Sequence, residues 1–113
     1  MSDLPISYEL KEEFGWNVWS IKGQLDRCTS AEAIENGEQT LAGSKKIAVD
    51  LSELEYLSSA GIRVLLRLAK KADAEGREFA LISPEGMVKE VLEMSRLDML
   101  VTIYKSIDDL KDK

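Results

Sequence analysis

Asp50-Leu51-Ser52-Glu53-Leu54-Glu55-Tyr56-Leu57-Ser58-Ser59-Ala60-Gly61-Ile62 runs a buried strand into a helix through a small turn that carries two hydroxyls. Upstream, Ile47-Ala48-Val49-Asp50-Leu51 has the short apolar character of a central strand covered on both faces. A connector follows, and Ser58-Ser59-Ala60-Gly61 opens the best-defined helix of the chain. Ile62, Leu65, Leu66 and Ala69 fall at offsets of three, four and seven, Arg63, Arg67, Lys70 and Lys71 point away, and Gly76 supplies a stop. Two exposed hydroxyls at a helix start are a natural place to receive a phosphate.

Outward from this stretch the same alternation continues. Phe79-Ala80-Leu81-Ile82 reads as another buried strand, broken by Ser83-Pro84, with the proline placed for the first turn of a helix whose apolar face is Met87, Val88, Val91 and Leu92. Val101-Thr102-Ile103-Tyr104 is a last short strand, and Ser106 caps a final charged helix from Ile107 to about Lys111. On the N-terminal side, Ile6, Tyr8 and Leu10 alternate with polar residues, Phe14-Gly15 marks a turn, and Trp16, Val18, Trp19 and Ile21 resume a strand that ends at Gly23. Thr29 or Ser30 then starts a helix over Ala31 to Leu41, carrying Ala33, Ile34 and Leu41 before Gly43 closes it. The order is β-β-α-β-α-β-α-β-α, which predicts an α/β fold: a mainly parallel sheet with right-handed crossovers and an antiparallel N-terminal hairpin.

At 113 residues the chain is expected to be one domain with a core large enough to need no metal or disulfide. Fifteen lysines and arginines against 21 aspartates and glutamates give a net charge of -6, which disfavours direct binding to nucleic acid or anionic membrane surfaces. Cys28 is the only cysteine, which excludes an internal disulfide and fits a reducing compartment. Histidine is absent, which removes the usual general base and the commonest zinc ligand. Residues 1 to 10 lack a basic start and an apolar core, and no window approaches a membrane span, so a cytoplasmic location without membrane insertion is expected.

Enzymatic motifs are missing as well: the chain has no G-x-G-x-x-G, no P-loop and no G-x-S-x-G. Glu32, Glu35, Asp73 and Glu90 occupy helix-exterior positions and read as solvated surface. Ser59 has two compatible roles, as N-cap of the following helix, accepting a bond from a backbone N–H near Ile62, and as a phosphoacceptor. Ala60 and Gly61 either allow close packing of helix on sheet or leave that hydroxyl unshielded for an approaching active site. Asp26, after Gly23-Gln24-Leu25, is either an ordinary turn aspartate or a group lining the same end of the sheet.

Asp50-Leu51-Ser52-x-Leu54-x-Tyr56-Leu57-Ser58-Ser59-Ala60-Gly61-Ile62 resembles the signature of STAS domains, specifically of bacterial anti-sigma factor antagonists. Gly23-Gln24-Leu25-Asp26 is similar to that family's Gly-Glu-Leu-Asp segment, and the element order matches along essentially the whole chain. The resemblance implies a STAS-like fold with helices mostly packed on one side. It implies further that the unphosphorylated chain binds an anti-sigma factor, itself a serine kinase using ATP and magnesium, and so frees a sigma factor. Ser59 stands at the family's phosphoacceptor position, with Ser58, where many members carry aspartate, as the alternative. Phosphorylation would end binding, a PP2C-type phosphatase would restore it, and the chain would need no cofactor or metal and have no enzymatic activity of its own. Asp26, Ser58, Ala60, Gly61 and Arg63 are the partner-binding residues this implies. The other function open to the same fold is a constitutive adaptor subunit in a stress-signalling or lipid-transport assembly.

Overall fold

The computed structural model describes residues 5–111 and Lys113. Its elements are β1 (Ile6–Glu13), β2 (Trp16–Leu25), α1 (Ser30–Thr40), β3 (Lys46–Asp50), β4 (Leu54–Leu57), α2 (Ser59–Ala74), β5 (Glu78–Ile82), α3 (Gly86–Met94) and β6 (Thr102–Tyr104), with 3-10 turns at Leu97–Met99 and Ile107–Leu110. The sheet runs β1-β2-β3-β5-β6, antiparallel between β1 and β2 and parallel elsewhere, as the alternation of strands and helices predicts. The hairpin closes through Phe14 and Gly15, with φ of 54° and 82°, the left-handed pair of a two-residue turn whose twist matches the strands it joins.

β4 is an addition to the expected order, for the stretch after Asp50 reads as a connector. It pairs in parallel with the far end of β2, Gly23, Gln24 and Leu25 facing Leu54, Tyr56 and Leu57, and a register shift follows Gly23. β2 therefore runs on to Leu25, past the expected end at Gly23, and holds β3 along its first half and β4 along its last residues.

Two cores lie on opposite faces of the sheet. On one, Trp19, Ile21, Val49 and Leu81 meet Ala33 of α1, Val64, Leu65 and Leu68 of α2, and Val88 and Leu92 of α3. All three α-helices thus pack on one face. The fully buried side of α2 is Gly61, Val64, Leu65, Leu68 and Ala72, so the expected Ile62, Leu66 and Ala69 row sits at its edge, half-buried. On the other face Trp16, Val18, Ala48, Ala80 and Ile82 are covered by Leu110, with Tyr104 and Ile107 beside it. The expected final helix is a single 3-10 turn, closed where the Ser106 amide donates to Asp109 Oδ2 at 3.3 Å. α3 likewise starts later than the proline suggests. Ser83 takes a left-handed φ of 58° and its amide donates to the Tyr104 carbonyl, which holds the corner in the sheet and leaves Pro84 ahead of the cap residue Glu85.

On the hairpin, Tyr8 stacks on Trp19 with ring centroids 5.4 Å apart, and Trp19 Nε1 donates to Asn36 Oδ1 of α1 at 2.9 Å. The Tyr8 hydroxyl is inaccessible and has no hydrogen-bond partner among the described residues. Burial, with Glu32 nearby, pushes its pKa up to about 12. Lys22 on β2 reaches Glu53 at 3.1 Å and Glu9 at 3.8 Å, and the hydrogen bond to Glu53, with both negative charges, holds its ammonium above its ordinary range.

Candidate functional site: the turn before α2

The carboxyl ends of β2 and β4 lie side by side, Leu25 against Leu57, and the Ser58 amide donates to the Leu25 carbonyl at 3.1 Å. That bond keeps Ser58 extended, at φ -101° and ψ 178°, and makes it the last strand-like residue. Ser58, rather than the expected Ser59, is therefore the N-cap of α2. Its hydroxyl accepts from the Gly61 amide at 3.4 Å, and its carbonyl accepts from the Ile62 amide at 2.9 Å. Ser59 is the first residue of the helix, and it is exposed, whereas Ser58 is half-buried. The Ser59 hydroxyl makes no hydrogen bond among the described residues.

Gly61 lies buried under this turn. A Cβ there would meet the Leu25 carbonyl oxygen at 2.5 Å and Leu57 Cδ1 at 2.6 Å, so close approach of α2 to β2 is the reason for glycine. Of the two meanings open for Gly61, packing is the one the geometry supplies.

Asp26 leads the loop from β2 into α1. Its Oδ1 accepts from the Cys28 amide at 2.9 Å and the Thr29 amide at 3.2 Å. Buried Thr29 completes the fastening: its hydroxyl accepts from the Asp26 amide and donates to the Gln24 carbonyl, both at 2.9 Å. Asp26 thus orders its own loop and also lines the site, which joins the two roles left open for it.

This loop and the start of α2 face each other across an open depression. Asp26, Arg27 and Cys28 form one wall, and Ser58, Ser59, Ala60 and Arg63 the other, with Tyr56 between them. Every expected site residue except Gly61 lines it, and Gly61 supports it from beneath. Three residues not expected at the site, Arg27, Cys28 and Tyr56, join them. Tyr56 lies within the signature stretch, three residues before Ser59, which is the signal that could have found it, and its ring is 43% exposed.

Charge at the depression runs against that of the whole chain. Arg27 and Arg63 are exposed, and among the described residues neither has a carboxylate within 4.0 Å, whereas Arg67, one turn further along α2, pairs with Glu38 of α1 at 3.1 Å. On the other side of Ser59 an apolar groove opens between α2 and α3, lined by Ile62, Val91 and Met94, the last 82% exposed. Met99 and Leu100 are also exposed, at 73% and 69%, and Leu100 lines a separate depression with Leu66 and Ala69 of α2. Among the described residues no group of three or more acidic or cysteine side chains is arranged to hold a metal ion, and no helix is long and apolar enough to cross a membrane.

An α/β domain that offers a serine hydroxyl on a rigid turn, between a basic depression and an apolar groove, has the makings of a docking surface rather than of a substrate pocket. Comparison with known proteins gives the family: the STAS domain model matches residues 8–110, and the chain belongs to the STAS domain family. A Thermotoga maritima relative, assigned provisionally to the anti-sigma factor antagonists, is 34% identical over 71 residues, 63% of each chain. BtrV of Bordetella bronchiseptica, with the same provisional assignment, is 38% identical over 84 residues, 66% of this chain and 72% of BtrV. The chain thus spans somewhat under two thirds of the Thermotoga maritima protein. Among solved structures, the anti-sigma factor antagonist SpoIIAA in its unphosphorylated form superposes with a TM-score of 0.74 at 16% identity, covering 94% of each chain. The phosphorylated form of the Bacillus SpoIIAA gives 0.62 at 17% identity, covering 94% of this chain and 97% of SpoIIAA.

Proposed function

We infer that this chain is an anti-sigma factor antagonist whose docking is switched by phosphorylation of Ser59. The observation that carries the reading is the state of that hydroxyl: exposed, unbonded, and seated between the basic depression and the apolar groove. Ser58 is the weaker acceptor, because its hydroxyl is half-buried and engaged with the Gly61 amide. The relatives assigned to the anti-sigma factor antagonists support the partner class, and a protein of this fold solved with and without phosphate supports the kind of switch.

The unphosphorylated surface docks an anti-sigma factor through Ile62, Val91 and Met94, with Arg27 and Arg63 facing carboxylates on the partner. Burial of an apolar patch supplies affinity, while the arginines supply orientation and association rate. The same partner acts as a serine kinase, with ATP and magnesium as its own requirements, and a PP2C-type phosphatase reverses the modification. This chain is then a kinase substrate in the cytoplasm and catalyses nothing itself. A phosphoserine adds about -1.5 to -2 charge and three acceptor oxygens at the centre of the docked surface, where desolvation disfavours it, so no conformational change is required.

A pull-down from native cytoplasm with wild type, Ser59→Ala and Ser59→Asp tests this. The expected result is an anti-sigma factor recovered with the first two and lost with the third, and one added phosphate on wild type alone. Equal recovery by all three, with phosphate on none, would favour the constitutive adaptor.

A further inference from the structure

Arg63 and Arg27 are more than neighbours of the acceptor. We propose that the phosphate on Ser59 is clamped within the chain by these two guanidiniums, so that the modified turn neutralises its own basic surface; this rests on Ser59 being the acceptor. Arg63 stands four residues after Ser59 on α2, the spacing that puts two side chains one above the other on a helix face. Helical side chains lean toward the helix N-terminus, so Arg63 inclines over Ser59. Arg27 belongs to the opposite wall, on a loop held by the Asp26 and Thr29 bonds. Both guanidiniums are exposed and free of carboxylates within 4.0 Å among the described residues, and a planar fork of donors matches a phosphate. Asp26 on the same wall opposes the arrangement, but its Oδ1 already accepts two backbone amides and is turned into its own loop.

The clamp gives the switch a second effect. Before modification the two arginines are available to partner carboxylates, and afterwards they are spent on the chain's own phosphate. Docking then loses an attraction as well as gaining an obstacle.

The test uses the full chain with phosphoserine installed at position 59 during synthesis, so that it does not depend on any kinase selecting that residue. The phosphate is titrated by phosphorus NMR in the otherwise wild-type chain, in R63Q, in R63K and in R27Q/R63Q. Asp26, Cys28 and Tyr56 also face the phosphate and are the same in every variant. Phosphoserine ordinarily takes its second proton near pH 6, and the clamp predicts a midpoint below that, with roughly tenfold weaker proton affinity than in R27Q/R63Q at low salt. R63Q and R63K should fall between, R63K nearer wild type, and the gap should close as salt is added. Coincident titrations in wild type and R27Q/R63Q would overturn the clamp while leaving Ser59 as acceptor. Full phosphorylation of Ser59→Ala by the kinase would overturn the acceptor assignment instead.

Discussion

Adding one carbon to Gly61 would place it 2.5 Å from the Leu25 carbonyl oxygen, which also accepts the Ser58 amide that sets the start of α2. Backbone cannot swing aside as a side chain does, so α2 must lift from β2. Gly61→Ala should therefore cost about 1–3 kcal/mol, the usual penalty for overpacking, and should weaken docking because the acceptor turn moves with the helix. Ser58→Ala loses a cap at 3.4 Å, a long bond, and should cost no more than about 1 kcal/mol, whereas Ser58→Asp keeps an N-cap acceptor and stays close to wild type. Urea denaturation midpoints for the three variants check this order. A Gly61→Ala midpoint equal to that of Ser58→Asp would show that the contact is not tight. Sequence alone could not decide between adjacent serines as cap, since both are good capping residues. The choice is made by the Leu25 carbonyl, from a strand far back in the chain.

Among the elements, the β1–β2 hairpin carries a buried hydroxyl that costs more as pH rises. Tyr8 ordinarily ionises near pH 10, and in the fold its pKa is raised to about 12, chiefly by burial. A raised pKa means that the folded state holds the proton more tightly than the unfolded chain. Tyr8 thus contributes stability that is full below about pH 10 and is lost as pH climbs through 12. Tyr8→Phe removes this dependence along with an unpartnered hydroxyl, so at neutral pH it should leave stability unchanged or raise it by up to about 1 kcal/mol. Thermal midpoints between pH 9 and 12 should fall more steeply for wild type than for Tyr8→Phe, and parallel curves would refute the assignment. The hairpin itself was legible, since alternation and Phe14-Gly15 suffice to place it. β4 was not. Leu54-Glu55-Tyr56-Leu57 is short, its two middle residues are exposed, and only its parallel pairing with the end of β2 makes it a strand. The shift of α2's buried row, which keeps the expected Leu65 but has Val64 and Leu68 in place of Ile62, Leu66 and Ala69, has a similar origin. The helix is apolar over a wide arc, and what lies on its flank, a groove toward α3, is a matter of tertiary placement. Arg27 was missed at the site because the loop that brings it to Ser59 is remote in sequence, and Tyr56, three residues before Ser59, because its stretch reads as a connector and not as a strand with an outward-facing ring.

Across the whole molecule, the two faces of the sheet divide the work. One carries the helices and, at the carboxyl ends of β2 and β4, the acceptor turn; the other is sealed by the last turn of the described chain. Leu110 is fully buried there, in one cluster with Trp16, Val18, Ala48, Ala80 and Ile82, and it is the one fully buried side chain of its 3-10 turn, with Ile107 half-buried beside it. Leu110→Ala should therefore cost about 2–5 kcal/mol, through lost burial and the cavity left above the sheet. The turn should also loosen, wetting Trp16, so that tryptophan emission shifts to the red before global unfolding. Ser59 is joined to the other face, through bonds between Ser58, Leu25 and Gly61 that this change does not touch. At temperatures where the variant is still folded, then, it should accept phosphate at the wild-type rate per folded molecule. Parallel loss of phosphate acceptance and of native emission, at a fixed folded fraction, would show instead that the two faces are coupled through the sheet.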